Sequence, residues 1–141
     1  MPAQHLIDVA HAHLIAEGAG DFDAALATFE GEPVYELLPV GLRMRGMDAV
    51  RRYYRHFLAE VVPRFVTDKI VVHGSWVGDT GFVIESTIVY RHDDGREEAF
   101  RILGILKFGE RALIGERIYA DEAFLRIMFA GVWDEMEPME D

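Results

Sequence analysis

Apolar residues change their spacing part-way along this chain. Up to about residue 61 they recur at helical intervals, and from Phe65 onward they crowd into long runs of Val, Ile, Phe and Tyr. At about 100° per residue, Ala3, Leu6, Ile7, Val9, Ala10 and Leu14 share one arc, which predicts an amphipathic helix over residues 3–17. Gly18-Ala19-Gly20 ends that helix. Asp21 is a good N-cap for a second helix to about Phe29, with Phe22, Leu26 and Phe29 on its buried side. Val34–Leu38 reads as a short strand stopped by Pro39, which has no N–H to extend a ladder. A third helix opens after Gly46, with Asp48 favourably placed in its first turn and an apolar stripe of Val50, Tyr53, Tyr54, Phe57, Leu58 and Val61. Arg51, Arg52, Arg55 and His56 fill the remainder as a solvated face.

The second half predicts strands near 65–75, 80–91, 97–108 and 112–120. Asp94-Gly95 signals a two-residue hairpin, because both central positions of that turn need positive φ. Glu122 to Val132 allows a short closing helix, and Glu135 to Asp141 reads as a frayed acidic tail. Helices first and strands after describe a single α+β domain over residues 1–141. That order describes a bent sheet wrapped around the helices, an architecture that encloses a pocket.

Composition narrows the chemistry. The chain has 141 residues, half of them hydrophobic, enough for one substantial core. A formal charge of −11 repels phosphate backbones and anionic membranes, so neither nucleic acid nor a membrane is expected as a partner. With no cysteine there is no disulfide, no thiolate metal site and no thiol nucleophile. No basic leader followed by an apolar stretch is visible, so a cytoplasmic location is expected. Of the six histidines, only His11 and His13 are close, and two positions apart on a helix they diverge by about 200°, so no metal site is expected. No sequence feature calls for a cofactor. Ser75 and Ser86 lack a nucleophile-elbow context.

Several short stretches, taken in order, carry a family resemblance. They are Gly20-Asp21 with Phe29, Pro39-Val40-Gly41, Gly46-Met47-Asp48-Ala49-Val50 leading into Tyr53-Tyr54, and the closing Glu116-Arg117-Ile118-Tyr119-Ala120-Asp121. Together they resemble the nuclear transport factor 2-like superfamily, specifically its SnoaL-like and ketosteroid-isomerase-like members. The resemblance implies a cone-shaped, barrel-like α+β fold, a curved mixed β-sheet wrapped around three N-terminal helices, with a mostly apolar pocket, a hydrophobic small molecule as ligand, and a homodimer made through the outer sheet face. The family's catalytic aspartates do not carry over. The isomerase general base falls at Leu38, its protonated aspartate at Gly104 and its oxyanion-holding tyrosine at His13. The epoxide hydrolase triad falls at Ser86, Ile88 and Ile118, and the nearest carboxylate to the cyclase aspartate is Asp121.

The remaining candidates follow from polar residues in apolar settings. His13 lies inside the first helix's apolar arc, where its ring must find a partner or titrate anomalously. It reads either as a satisfied core histidine or as a pocket acid–base. Glu17, one turn on, either orients His13 or faces water. Glu36 shares a strand face with Leu38 and Val34, and reads as a pocket base or as a structural arginine partner. With a two-residue turn at Asp94-Gly95, Arg101 pairs with Ile88 on the face of Ser86 and Tyr90, suited to holding an anion. Its alternative is an ion pair with Glu36, Glu85 or Glu98. Glu85 suits a salt bridge, and Asp121 suits an N-cap. The expected catalytic set is His13, Glu36 and Arg101, and the expected pocket wall is Leu38, Tyr53, Phe57, Ser86, Ile88, Tyr90, Gly104 and Ile118. An isomerase, cyclase or hydrolase working by proton transfer fits this set, and so does a non-catalytic carrier.

Overall fold

A computed structural model describes residues 1–139. The first helix, α1 (Gln4–Ala19), buries Leu6, Ala10, His13 and Ala16, and Gly20 closes it in the left-handed conformation at φ 68°. Asp21 caps α2 (Phe22–Leu26) by accepting from the Ala24 N–H at 3.1 Å. That helix is shorter than its apolar residues suggest, because Phe29 opens strand β1 (Phe29–Leu38) instead. Pro39 turns β1 into β2 (Leu42–Arg45), a strand too short and too basic to register as a period-2 pattern. In α3 (Met47–His56) the Met47 N–H is satisfied by the Glu32 carboxylate at 2.7 Å. The helix then widens into a π turn (Phe57–Val61) and tightens into a 3₁₀ turn (Val62–Arg64) where Pro63 removes a donor.

Four long strands follow: β3 (Val71–Gly78), β4 (Gly81–Arg91), β5 (Glu97–Phe108) and β6 (Leu113–Ala120). A short 3₁₀ turn (Thr67–Lys69) occupies the start of the first apolar run, so β3 begins at Val71 rather than Phe65. Helix α4 (Glu122–Met128) stops short of Val132, and Asp121 takes its N-cap position without a side-chain capping bond. Part of the tail is ordered. Glu137–Pro138 forms β7 against β2, anchored by Glu137 to Arg45 at 2.6 Å, while residues 140 and 141 lie outside the described part.

The seven strands form one mixed sheet in the order β3-β4-β5-β6-β1-β2-β7, antiparallel except where β1 meets β6. The sheet is curved but open, with β3 and β7 at its edges, so it does not close into a barrel. Alternation along paired strands puts Tyr35 and Leu37 of β1, Glu116 and Ile118 of β6, Gly104 and Leu106 of β5, and Ile84 and Ser86 of β4 on the concave face. Against that face pack Val50, Tyr53 and Tyr54 from α3 and Phe124, Leu125 and Phe129 from the C-terminal helical segment, all essentially solvent-free. Each fully buried side chain of this size contributes roughly 1.5–3 kcal/mol.

Gly115 fixes how β6 meets β1. Its φ is 142°, and a Cβ there would lie 1.9 Å from the Val34 carbonyl oxygen. Only glycine permits this approach, which sits at the register shift between Phe29 and Val34. The next residue, Glu116, thereby turns its side chain toward the helices.

Candidate functional site

Between the concave face and the helices lies a hollow of about 180 Å³. Tyr53, Phe57, Phe65 and Phe124 give it aromatic walls, and Ile84, Ile88 and Ile102 give it aliphatic ones. Its polar lining is confined to Glu17, Glu116, Ser86 and the Tyr53 ring, with no Lys, Arg or His among the lining residues.

Behind the two glutamates stands a buried hydrogen-bonded network. Thr28 donates its hydroxyl to the Ala25 carbonyl at 2.6 Å, so its oxygen accepts from His13 Nδ1 at 2.8 Å. That fixes the His13 proton on Nδ1 and points Nε2 at Tyr54 Oη, 3.1 Å away, and Glu17 Oε2, 3.5 Å away. The Tyr54 hydroxyl donates to Glu17 Oε2 at 2.9 Å and meets the Tyr35 hydroxyl at 2.5 Å. With the Tyr54 proton committed to Glu17, the two oxygens facing Nε2 favour a proton on it as well. Burial opposes that charge, but Glu17 and then Glu116 outweigh it and raise the His13 pKa.

Glu116 faces the opposite problem. Burial and the neighbouring Glu17 carboxylate disfavour its charge, while His13 and the Tyr35 hydroxyl only partly offset them, so its pKa is pushed up to about 8. Burial likewise raises Tyr35, Tyr53 and Tyr54 far above the usual phenol value, keeping them neutral donors. Gly104 leaves the space for this carboxyl, since a Cβ there would sit 2.9 Å from Glu116 Oε1. One ligand atom from each of His13, Glu17 and Glu116 lies within 4.8 Å of the other two. This trio has the donor set for a divalent cation. In this arrangement Tyr54 occupies Nε2 and Glu17 Oε2, and the groups share protons instead.

The expected residues divide by sheet face. His13 is central to the network, and Tyr53, Phe57, Ser86, Ile88 and Gly104 line the hollow. Glu36 and Leu38 do not reach it. Tyr35 and Leu37 take the concave positions, so the alternation runs opposite to expectation, and Glu36 pairs on the outer face with Arg117 at 3.0 Å and Lys107 at 3.7 Å. Arg101 is also outside. Only Gly95 in the 92–96 connection has positive φ, making the loop one residue longer than a two-residue turn. Arg101 therefore pairs with Thr87 and binds Glu85 at 2.7 Å, while Phe100 takes the place opposite Ile88. Ile118 is packed in the core without lining the hollow, and Tyr90 borders a separate surface depression with Arg64 and Asp93. Glu116 was absent from the expected set because it stands in a run of mixed polar residues with no sign of its facing. Its signal was the preceding Gly115, the one glycine inside β6.

This order of strands, with the helices on the concave face, decides the fold. The chain has the NTF2-like fold. A Mycobacterium tuberculosis LEH-like epoxide hydrolase superimposes with a TM-score of 0.66 at 21% identity, covering 93% of this chain and 91% of that one. A presumed isomerase from Bacillus subtilis gives 0.67 at 12% identity, covering 91% and 94%. An NTF2-like protein of unknown function from Cytophaga hutchinsonii gives 0.66 at 17% identity, covering 82% and 99%. No family model matches the chain, and no curated protein matches it in sequence. No helix among the described residues is long and apolar enough to cross a membrane.

Proposed function

We propose that this NTF2-like protein is a cytoplasmic acid–base enzyme acting on a small, largely apolar molecule, with Glu17 and Glu116 as its working pair. The observation that carries the reading is two carboxyls at one end of an apolar hollow, one of them with its pKa at about 8. At neutral pH Glu116 then holds a proton to donate, and Glu17, held by Tyr54 and His13, is the acceptor. A proton taken by Glu17 from carbon, with one given by Glu116 elsewhere on the molecule, is an isomerisation. The same pair acting on water and a leaving oxygen is a hydrolysis. Tyr54 and Tyr35 offer a hydrogen-bonded path behind the pair for resetting it between turnovers. His13 is a positioning residue here, since it lies behind Glu17 and not on the hollow.

The names of two similar structures, an epoxide hydrolase and a presumed isomerase, are compatible with either reaction. The size of the hollow sets the scale, since an apolar cavity of about 150 Å³ takes benzene. The test is a panel of monocyclic ketones and epoxides incubated with protein in D₂O and followed by NMR. Deuterium exchange or ring opening that Glu17→Gln and Glu116→Gln abolish supports the enzyme. Tight binding of panel members with neither exchange nor turnover overturns it in favour of a carrier using the same hollow.

A further inference from the structure

The electrostatic character of the hollow goes further than acid–base chemistry. Enzymes that stabilise an oxyanion aim cationic groups or hydrogen-bond donors at it. Here the lining contains no Lys, Arg or His, and its ionisable groups other than Tyr53 are the two carboxyls. The aromatic walls add to this. Tyr53 is stacked between Phe57 at 5.2 Å and Phe129 at 4.3 Å, which covers its ring, whereas Phe57 and Phe124 each stack on a single ring, Tyr53 and Phe100, and are the walls with a face to offer. Aromatic faces carry negative potential and attract organic cations. At neutral pH the proton on Glu116 keeps the two carboxyls from repelling each other. An ammonium can take that proton's place, and no lining side chain carries a positive charge that would repel it.

We propose that the hollow selects a small organic cation, a protonated amine on an apolar ring or short chain, its ammonium between Glu17 and Glu116 and its apolar body against the aromatic walls. This names the ligand class for the site described above and rests on the reading that Glu17 and Glu116 address the ligand. An ammonium satisfies both carboxylates by charge-assisted hydrogen bonds. A carboxylate of the same shape would bring a third negative charge into a low-dielectric space, and a hydrocarbon would leave the pair unsatisfied.

The experiment compares near-isosteric probes on the full chain at pH 7 by isothermal titration calorimetry: benzylamine, benzyl alcohol, toluene and benzoate. Benzylamine is expected to bind about tenfold or more tightly than benzyl alcohol or toluene, the gain of a desolvated cation–aromatic and ion-pair site. Benzoate is expected not to bind measurably. In Glu17→Gln and Glu116→Gln, benzylamine should fall to the level of benzyl alcohol while toluene is unaffected. Benzoate or toluene binding as well as benzylamine overturns the proposal, as does no benzylamine binding at all, or an amine preference that survives in both variants. Toluene and benzyl alcohol binding without an amine preference would sink the cation while leaving the acid–base pair standing. Exchange or turnover by NMR judges that pair separately.

Discussion

Glu116→Gln should change how stability depends on pH, and in an unusual direction. A carboxyl whose folded pKa stands at about 8 against 4.5 unfolded is protonated in the native state throughout that interval, while the unfolded chain has already ionised. The native state therefore binds more protons, and stability falls as pH rises from 4.5 to about 8. Three and a half units (8 − 4.5) at 1.36 kcal/mol each bound the loss at about 5 kcal/mol, and sharing with Glu17 and His13 makes about 3 kcal/mol a realistic size. His13 acts in the same direction, since its raised pKa gives stability that is present below 6.5 and lost as pH climbs through the folded value. Ordinary paired carboxylates behave oppositely. Glu97 and Glu137, held down chiefly by Lys69 and Arg45 respectively, lose stability only on acidification below about 4.5. Urea unfolding at pH 5.5 and 8.5 separates the groups. The native protein should lose roughly 3 kcal/mol between those values, or about 10 °C in Tm for a chain of this length. Glutamine keeps the shape without the titration, so the variant should lose less than half as much and be the more stable protein at pH 8.5. Parallel pH profiles for the two proteins would refute the assignment of the buried proton to Glu116.

Three further outcomes follow. Gly115→Ala should cost about 3 kcal/mol or more, or prevent folding, because the Cβ meets the Val34 carbonyl and the φ of 142° suits only glycine; circular dichroism with urea titration measures it. Thr28→Val should cost about 1–3 kcal/mol by stranding the buried His13 Nδ1 proton, and NMR should show the His13 pKa falling as the imidazolium loses an acceptor. The homodimer through the outer sheet face is a proposal that sedimentation decides. Val71, Trp76 and Tyr119 are exposed on that face, so the native chain should sediment at twice 16.0 kDa and Trp76→Glu should sediment as a monomer; a monomeric native chain rejects the dimer.

Order and type of most elements were legible because helical and strand spacings differ strongly in the two halves. Boundaries failed where local chemistry is ambiguous. Phe29-Glu30-Gly31-Glu32-Pro33 has no alternation, yet it extends β1 by pairing with neighbours far away in sequence. The facing of β1 failed for a related reason. Tyr35 and Glu36 are equally plausible inward residues until the parallel partner β6 fixes which one meets Glu116. Arg101 was misplaced by one residue of loop length, a difference that period-2 patterns cannot reveal. His13 was legible as an anomaly because a polar ring in an apolar arc is costly on any fold. Glu17 was legible only as its possible partner. Glu116 completes the trio from a strand about a hundred residues away, a meeting that sheet topology creates and no local spacing encodes.

Every reaction proposed for the hollow needs a proton held on Glu116 beside the Glu17 carboxyl. Carbon-13 NMR of protein labelled at glutamate Cδ, with Glu116 assigned by the loss of its signal in Glu116→Gln, follows that carboxyl directly through a pH titration. Its midpoint should lie near 8. A Glu116 carboxyl that titrates with the exposed glutamates near 4.5 would contradict it.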